Sequence, residues 1–216
     1  MPSTAIPAKG STFSIGTTSG SANNITAVSL TNPCLITLSS SVAGLTVGDV
    51  VTIAGITGTT QLNGGTYVIQ YIEPANKIIT LAGVNALAYT AWTSGGTVTP
   101  QGMNNIKNLQ SFSGPKVSKG TIEVTNLEST ATEFIYDILN SGTFSFDFDH
   151  DRYDAGQLAL EDAINTNTAK NFKLIIPDGT TYTFSGFVSS IDISGGKGQT
   201  VKRNCEIRIN CSIIKS

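Results

Sequence analysis

Apolar and polar side chains alternate most regularly near the end of the chain. Val201, Arg203, Cys205, Ile207, Ile209, Cys211 and Ile213 hold one parity, and Lys202, Asn204, Glu206, Arg208, Asn210 and Ser212 hold the other. A period of two predicts a long, half-buried strand. Phe144, Phe146 and Phe148 alternate in the same way with Ser145, Asp147 and Asp149. Tyr182 to Ile193 reads as another long strand, and its apolar parity slips near Gly186-Phe187, where a bulge is expected. One helix is signalled. Asp154 stands as its N-cap with Gln157 in the third position, as in a capping box, while Leu160, Ala163 and Ile164 share a face that ends near Asn165. A lone amphipathic helix in an antiparallel protein covers one sheet face. The predicted class is all-β with one α-helix, a β-sandwich or open barrel.

The stretch from Asn24 to Val98 differs from its surroundings: in these 75 residues only Asp49, Glu73 and Lys77 are charged. Short β runs at Leu35 to Leu38, Val50 to Ile53, Thr66 to Ile72 and Lys77 to Leu81 are separated by turn signals at Asn32-Pro33, Gly48-Asp49, Asn63-Gly64 and Pro74 to Asn76. That spacing suits a small barrel or sandwich. Gly16 to Ser21 on one side and Thr93 to Gly96 on the other resemble the two loose legs of an insertion, which chains accept at exposed loop tips. Residues 1–23 and 99–216 are therefore expected to form one discontinuous domain, with 24–98 an inserted, barrel-like β module.

Composition narrows the setting. Charged residues are 13% of the chain, against about 25% in an ordinary soluble domain, and Ser plus Thr supply 51 of the 216 residues. A subunit clamped between neighbours replaces surface charge with apolar and hydroxyl-bearing contact area, although a Ser/Thr-rich secreted β protein would share this composition. A net charge of -2 and a pI near 5.3 offer no basic footprint for gripping phosphates. No run of 18 apolar residues occurs, and Met1 to Pro7 has neither a basic start nor a signal-length apolar stretch, so no membrane partner is expected and a cytoplasmic origin is. Cys205 and Cys211, read on one straight strand, would stand about 20 Å apart, beyond disulfide reach. All three cysteines are expected to be small core residues.

Phe146 to Asp154 gathers four aspartates and the lone histidine, the densest candidate for chemistry. In an extended strand Asp147, Asp149 and Asp151 step about 7 Å along one face, and the outer two lie about 13 Å apart, too far to share a cation. As a calcium loop the segment fails as well: Arg152 stands where glycine is needed and Leu158 where glutamate is. Gly195 to Thr200 lacks phosphate-loop spacing and reads as a hairpin turn. No spacing supports a triad around His150. Catalytic, cofactor and metal sites are thus not expected, and the chain is not expected to be an enzyme. Ser129 to Leu139 remains, apolar and aromatic in too short a stretch to form its own core. It reads either as a packed turn of helix or as a contact surface for a neighbouring subunit, with Phe134, Ile135, Tyr136, Ile138 and Leu139 as candidates. Trp92, Tyr89 and Tyr67 would either stack on a ligand or fill the module's core.

The order of Leu109-Gln110-Ser111-Phe112-Ser113-Gly114, then Ile122 to Phe134, Gly142 to Asp149 leading into Asp154 to Leu160, Asn171 to Gly179 and Phe184 to Val188 resembles the major tail tube proteins of long-tailed, siphovirus-type bacteriophages. The resemblance covers roughly Lys9 to Ile15 and Gly102 to the C-terminus; the module at Asn24 to Val98 departs from it. It implies a virion protein, assembled in the host cytoplasm, that stacks as hexameric rings into a hollow tail tube. It further implies a tape-measure protein inside, tail tip and tail terminator proteins at the ends, and transient passage of viral DNA without specific binding. Asp147, Asp149, Glu206 and Arg208 are then candidates to face the lumen, and the module is expected on the outside. The competing reading is a phage decoration or adhesin protein whose inserted module binds a surface ligand.

Overall fold

The computed structural model describes residues 5–216; residues 1–4, which open the expected tube domain and the N-terminal stretch read for targeting, lie outside them. The first strands are β1 (Thr12–Ser19), β2 (Asn23–Val28), β3 (Leu35–Leu38), β4 (Val50–Thr57), β5 (Thr66–Glu73), β6 (Ile78–Leu81) and β7 (Ser94–Asn105). There follow β8 (Leu109–Ser113), β9 (Ser118–Glu123), β10 (Phe134–Asn140), β11 (Thr143–Asp149), the helix α1 (Ala155–Thr166), β12 (Lys170–Ile175), β13 (Thr181–Ser194), β14 (Lys202–Ile209) and β15 (Ile214–Lys215). The all-β class with one helix holds for the described residues.

These residues divide into two compact units. The first runs through Ile106 and takes in Lys170–Phe184 and Ile213–Ser216. Within it β2, β3, β6, β5, β4 and β7 pair in that order, and β7 returns to β2 through Asn23↔Val98 and Asn24↔Thr97, closing a six-stranded antiparallel barrel. Closure leaves no bare edge. Ile36, Ile53, Leu62, Ile69 and Ile79 are fully buried inside, and Tyr67, Tyr89 and Trp92 pack against this core. The second half of β7 pairs with β1, and β1 with β12. There Phe13, Phe172 and Phe184 stack with ring centroids 5.7 to 6.3 Å apart, a spacing that adds to the gain from burying the rings.

The second unit comprises Lys107–Ala169 and Ser185–Ser212. Its sheet runs β13, β14, β11, β8, with Phe144, Phe146, Phe148, Cys205 and Ile207 buried on one face. The helix begins where the sequence places it: the Asp154 carboxylate accepts the Gln157 N–H at 2.9 Å. The Gln157 side chain departs from a capping box. Its oxygen accepts the Asp151 N–H and its amide donates to the Asp149 carbonyl, so it ties the helix to the end of β11. Leu160 and Ala163 are buried, Ile164 half-buried, and an ion pair from Glu161 to Arg203 sets the helix on the phenylalanine face.

Three sequence expectations need correction. The alternating strand stops at Ile209, so Cys211 lies outside it, half-buried, and is no core residue; its sulfur accepts the Ser185 N–H. Alternation continued past the strand's end because nothing in a period of two marks where pairing partners run out. The bulge on β13 falls at Ser189, between Val188 and Ser190, instead of at Gly186-Phe187. Gly186 pairs in register with Ile209, and its backbone lies so close to the neighbouring strand that a Cβ there would strike the Arg208 carbonyl oxygen. Phe134 to Leu139 is strand, which removes the packed helix turn as a reading.

Candidate functional site

β9 and β10 form a two-stranded antiparallel ribbon outside the large sheet, and every residue in both strands is exposed. Its base is tightly fixed. Lys116 N–H donates to the Thr143 carbonyl, and Gly142 at φ +68° leaves no room for a Cβ beside the Lys116 carbonyl. Only glycine accepts both the left-handed backbone and the close approach. The tip is closed by side-chain bonds, with Thr125 Oγ1 accepting the Glu133 N–H and Ser129 Oγ the Asn126 N–H.

The register decides which side chains share a face. Ile135 pairs with Ile122, while Phe134 pairs with Glu123 and Tyr136 with Thr121. Directly opposed residues project to the same side, so Phe134 and Tyr136 stand on one face and Ile135 and Ile122 on the other. A bulge between Tyr136 and Leu139 resets the parity and returns Leu139, opposite Lys119, to the first face, with Ile138 in the bulge. Both faces are therefore apolar. Tyr136 is 76% exposed and Ile138 86%, so the ribbon presents a contiguous run of exposed apolar side chains, the kind of patch that marks an interaction surface. The five contact candidates read from the sequence, Phe134, Ile135, Tyr136, Ile138 and Leu139, thus stand together on one arm.

The other candidates also share a surface. Asp147 lies opposite Asn204, Asp149 opposite Lys202, Glu206 opposite Ser145 and Arg208 opposite Thr143. All four named residues occupy the face of β11 and β14 that turns away from the phenylalanines. Asp147 accepts from Asn204 at 2.7 Å and Ser111 at 2.6 Å; Asp149 accepts from Gln110 and Thr200, both at 2.9 Å. The Asn204 bond, then the Ser111 bond, hold the Asp147 carboxyl below its ordinary pKa. Each carboxylate is spent on cross-strand amides and hydroxyls, and among the described residues no group of three or more His, Cys, Asp or Glu is arranged to hold a metal. Two thiols are held protonated by burial, Cys34 pushed up to about 11 and Cys205 to about 12. Trp92 donates its ring N–H to the Gly95 carbonyl and Tyr67 its hydroxyl to the Leu62 carbonyl, so both rings serve the barrel that contains them.

The sequence missed one pair. Lys173 on β12 is 6% exposed and its ammonium meets Asp49 at 2.7 Å, across 124 positions of chain. The Gly48-Asp49 turn signal says nothing of a distant partner for Asp49. Its rarity as one of three charges in the module was the available signal.

No protein-family model and no curated protein matches the sequence. Two solved structures are similar in backbone course. One is the tail of an empty GTA particle with C6 symmetry, at 18% identity and TM-score 0.44 over 53% of this chain and 86% of that one. The other is the six-fold symmetrised baseplate of the anti-feeding prophage, at 9% identity and TM-score 0.40 over 82% of this chain and 97% of that one.

Proposed function

We propose that this chain is a structural subunit of a phage tail, which polymerises as stacked hexameric rings into the tail tube. The observation that carries the proposal is the ribbon with apolar side chains on both faces. A two-stranded ribbon is marginal alone in water, and packing one face against a neighbour would leave the other wet. The ribbon is therefore an assembly arm that inserts between two other copies, with Phe134, Tyr136 and Leu139 covered by one and Ile135 and Ile122 by the other. A chain with 13% charged residues supplies weakly charged surfaces to receive it. The sequence resemblance to tail tube proteins supports ring stacking, the hexamer, and the tape-measure, tip and terminator partners.

In this tube the face bearing Asp147, Asp149, Glu206 and Arg208 turns to the lumen, where carboxylates repel passing DNA. The barrel, as an inserted module at 24–98, stands on the outside. The protein carries out no catalysis, is assembled in the host cytoplasm and resides in the virion tail.

Negative-stain electron microscopy of the concentrated chain, with size exclusion to fix the starting species, tests the proposal. Hollow tubes or stacked rings of uniform diameter are expected. Monomers or trimers alone, even with a tail-tip initiator or tape-measure protein supplied, overturn it.

A further inference from the structure

The barrel is joined to β1 and the rest of the chain through two legs, and the legs bind each other: Gly20 N–H donates to the Pro100 carbonyl at 2.6 Å. A body held at one place by two adjacent strands is free to swing about it. A second attachment elsewhere removes that freedom.

The turn at residues 46–49, which precedes β4 of the barrel, supplies one. Lys173 projects from the face of β12 opposite Phe172 and Leu174, a parity that in an ordinary half-buried strand leads to solvent. It is buried instead, and donates to Asp49 Oδ1 at 2.7 Å and Thr46 Oγ1 at 2.9 Å. Asp49 is held in turn by the Thr46 N–H at 2.6 Å and hydroxyl at 2.9 Å. Beside it, the buried Thr183 hydroxyl of β13 donates to the Gly48 carbonyl at 2.8 Å. Gly48 adopts φ +83°, and a Cβ there would press into the Thr181 side chain. Val50 and Val68, paired across β4 and β5, alternate with barrel-core neighbours and so point outward, yet they are 2% and 9% exposed. A charged pair, a hydroxyl bond, a glycine contact and two covered valines coincide on one side of the barrel.

We infer that the 46–49 turn and the Lys173, Thr181 and Thr183 side chains form a latch that fixes the barrel in one orientation on the β12–β13 hairpin. A buried ammonium with two oxygen partners is costly to separate, so the barrel is a rigid projection and not a tethered one. This holds for the single chain; in the proposed tube it would set every barrel at the same angle.

Spin labels at Gln70→Cys, exposed on the barrel, and Asp178→Cys, exposed in the β12–β13 turn, report the orientation in a Cys211→Ser background, with labelled chain diluted in unlabelled. A single narrow distance distribution is expected. The double variant Asp49→Asn with Lys173→Met removes the ion pair without leaving an orphan charge, and Gly48→Ala disturbs the latch without touching charge. Both are expected to broaden the distribution while hydrogen exchange in the barrel strands stays slow. A distribution already broad in the parent, or one that stays narrow in both variants, overturns the latch.

Discussion

The barrel and the ribbon are built from the same material, short antiparallel strands, and they end in opposite states. In the barrel six strands close on themselves, Ile36, Ile53 and Ile79 vanish into one interior, and no strand edge is left bare. In the ribbon, among the described residues, two strands have both outer edges and both faces uncovered. In the barrel the apolar surface of each strand has found its partner within the same closed sheet. The ribbon's apolar side chains are covered by nothing among the described residues, which is the state the proposed assembly arm requires. Local sequence is similar in kind; what differs is whether the pairing is complete.

Carboxylates placed on the ribbon test directly whether its apolar faces are contact surfaces. Ile135→Asp, and separately Tyr136→Asp, put a carboxylate on opposite faces of the arm. Each is expected to abolish tubes seen by electron microscopy, or to raise the concentration needed for assembly by at least about 30-fold, the effect of losing an interface hot spot of about 2 kcal/mol. The melting temperature of the dispersed chain should not move. A lower melting temperature would mean the ribbon belongs to the fold, and unaltered tubes would mean it is no arm.

The converse experiment compares one side chain in each region. Ile53→Ala in the barrel is expected to cost about 2 to 5 kcal/mol in urea unfolding, by lost transfer energy and the cavity left behind. Ile122→Ala in the ribbon should stay within about 0.5 kcal/mol. Equal losses would erase the distinction.

Closure also governs access. A thiol reagent at pH 8 is expected to label Cys211 and spare Cys34 in the barrel and Cys205 in the sheet. Burial both shields the last two and holds their thiols protonated, with pKa values near 11 and 12. Rapid labelling of Cys34 in the native state would show that the barrel opens.

The smallest effect separates the barrel from the polar ladder on β11. Asp147 has a depressed pKa in the folded chain, chiefly through its Asn204 bond. The stability it contributes is therefore fully present above the unfolded value of about 3.9 and lost as pH falls through the lower, folded one. Asp147→Asn should lower stability slightly near neutral pH and flatten its fall below about pH 4. An unchanged acid profile would mean the bonds from Asn204 and Ser111 contribute nothing.

Much of this protein was determined by sequence alone. Phenylalanines at every second position specify β11, because only a strand sends them all to one side. Asp154 followed by Gln157 specifies the start of α1, because a helix must satisfy its first N–H groups locally. Charge scarcity and turn residues mark out four of the barrel's six strands, β3 to β6, whereas β2 and β7 carry no such mark and the start of β7 reads as a loose leg. Such signals are local: each needs only a few neighbouring residues to be physically compelling. Tertiary structure decided the rest. That Phe134 to Leu139 is an uncovered strand depends on what is absent around it, and the end of β14 at Ile209 depends on where its partners stop. The Ser189 bulge depends on the register that β13 keeps with β14 on either side of it. Lys173 and Asp49 are 124 residues apart, and neither carries any local mark of the other. A hydrophobic period records which side of a strand is apolar, but whether that side is covered, and by what, is fixed only when distant segments meet.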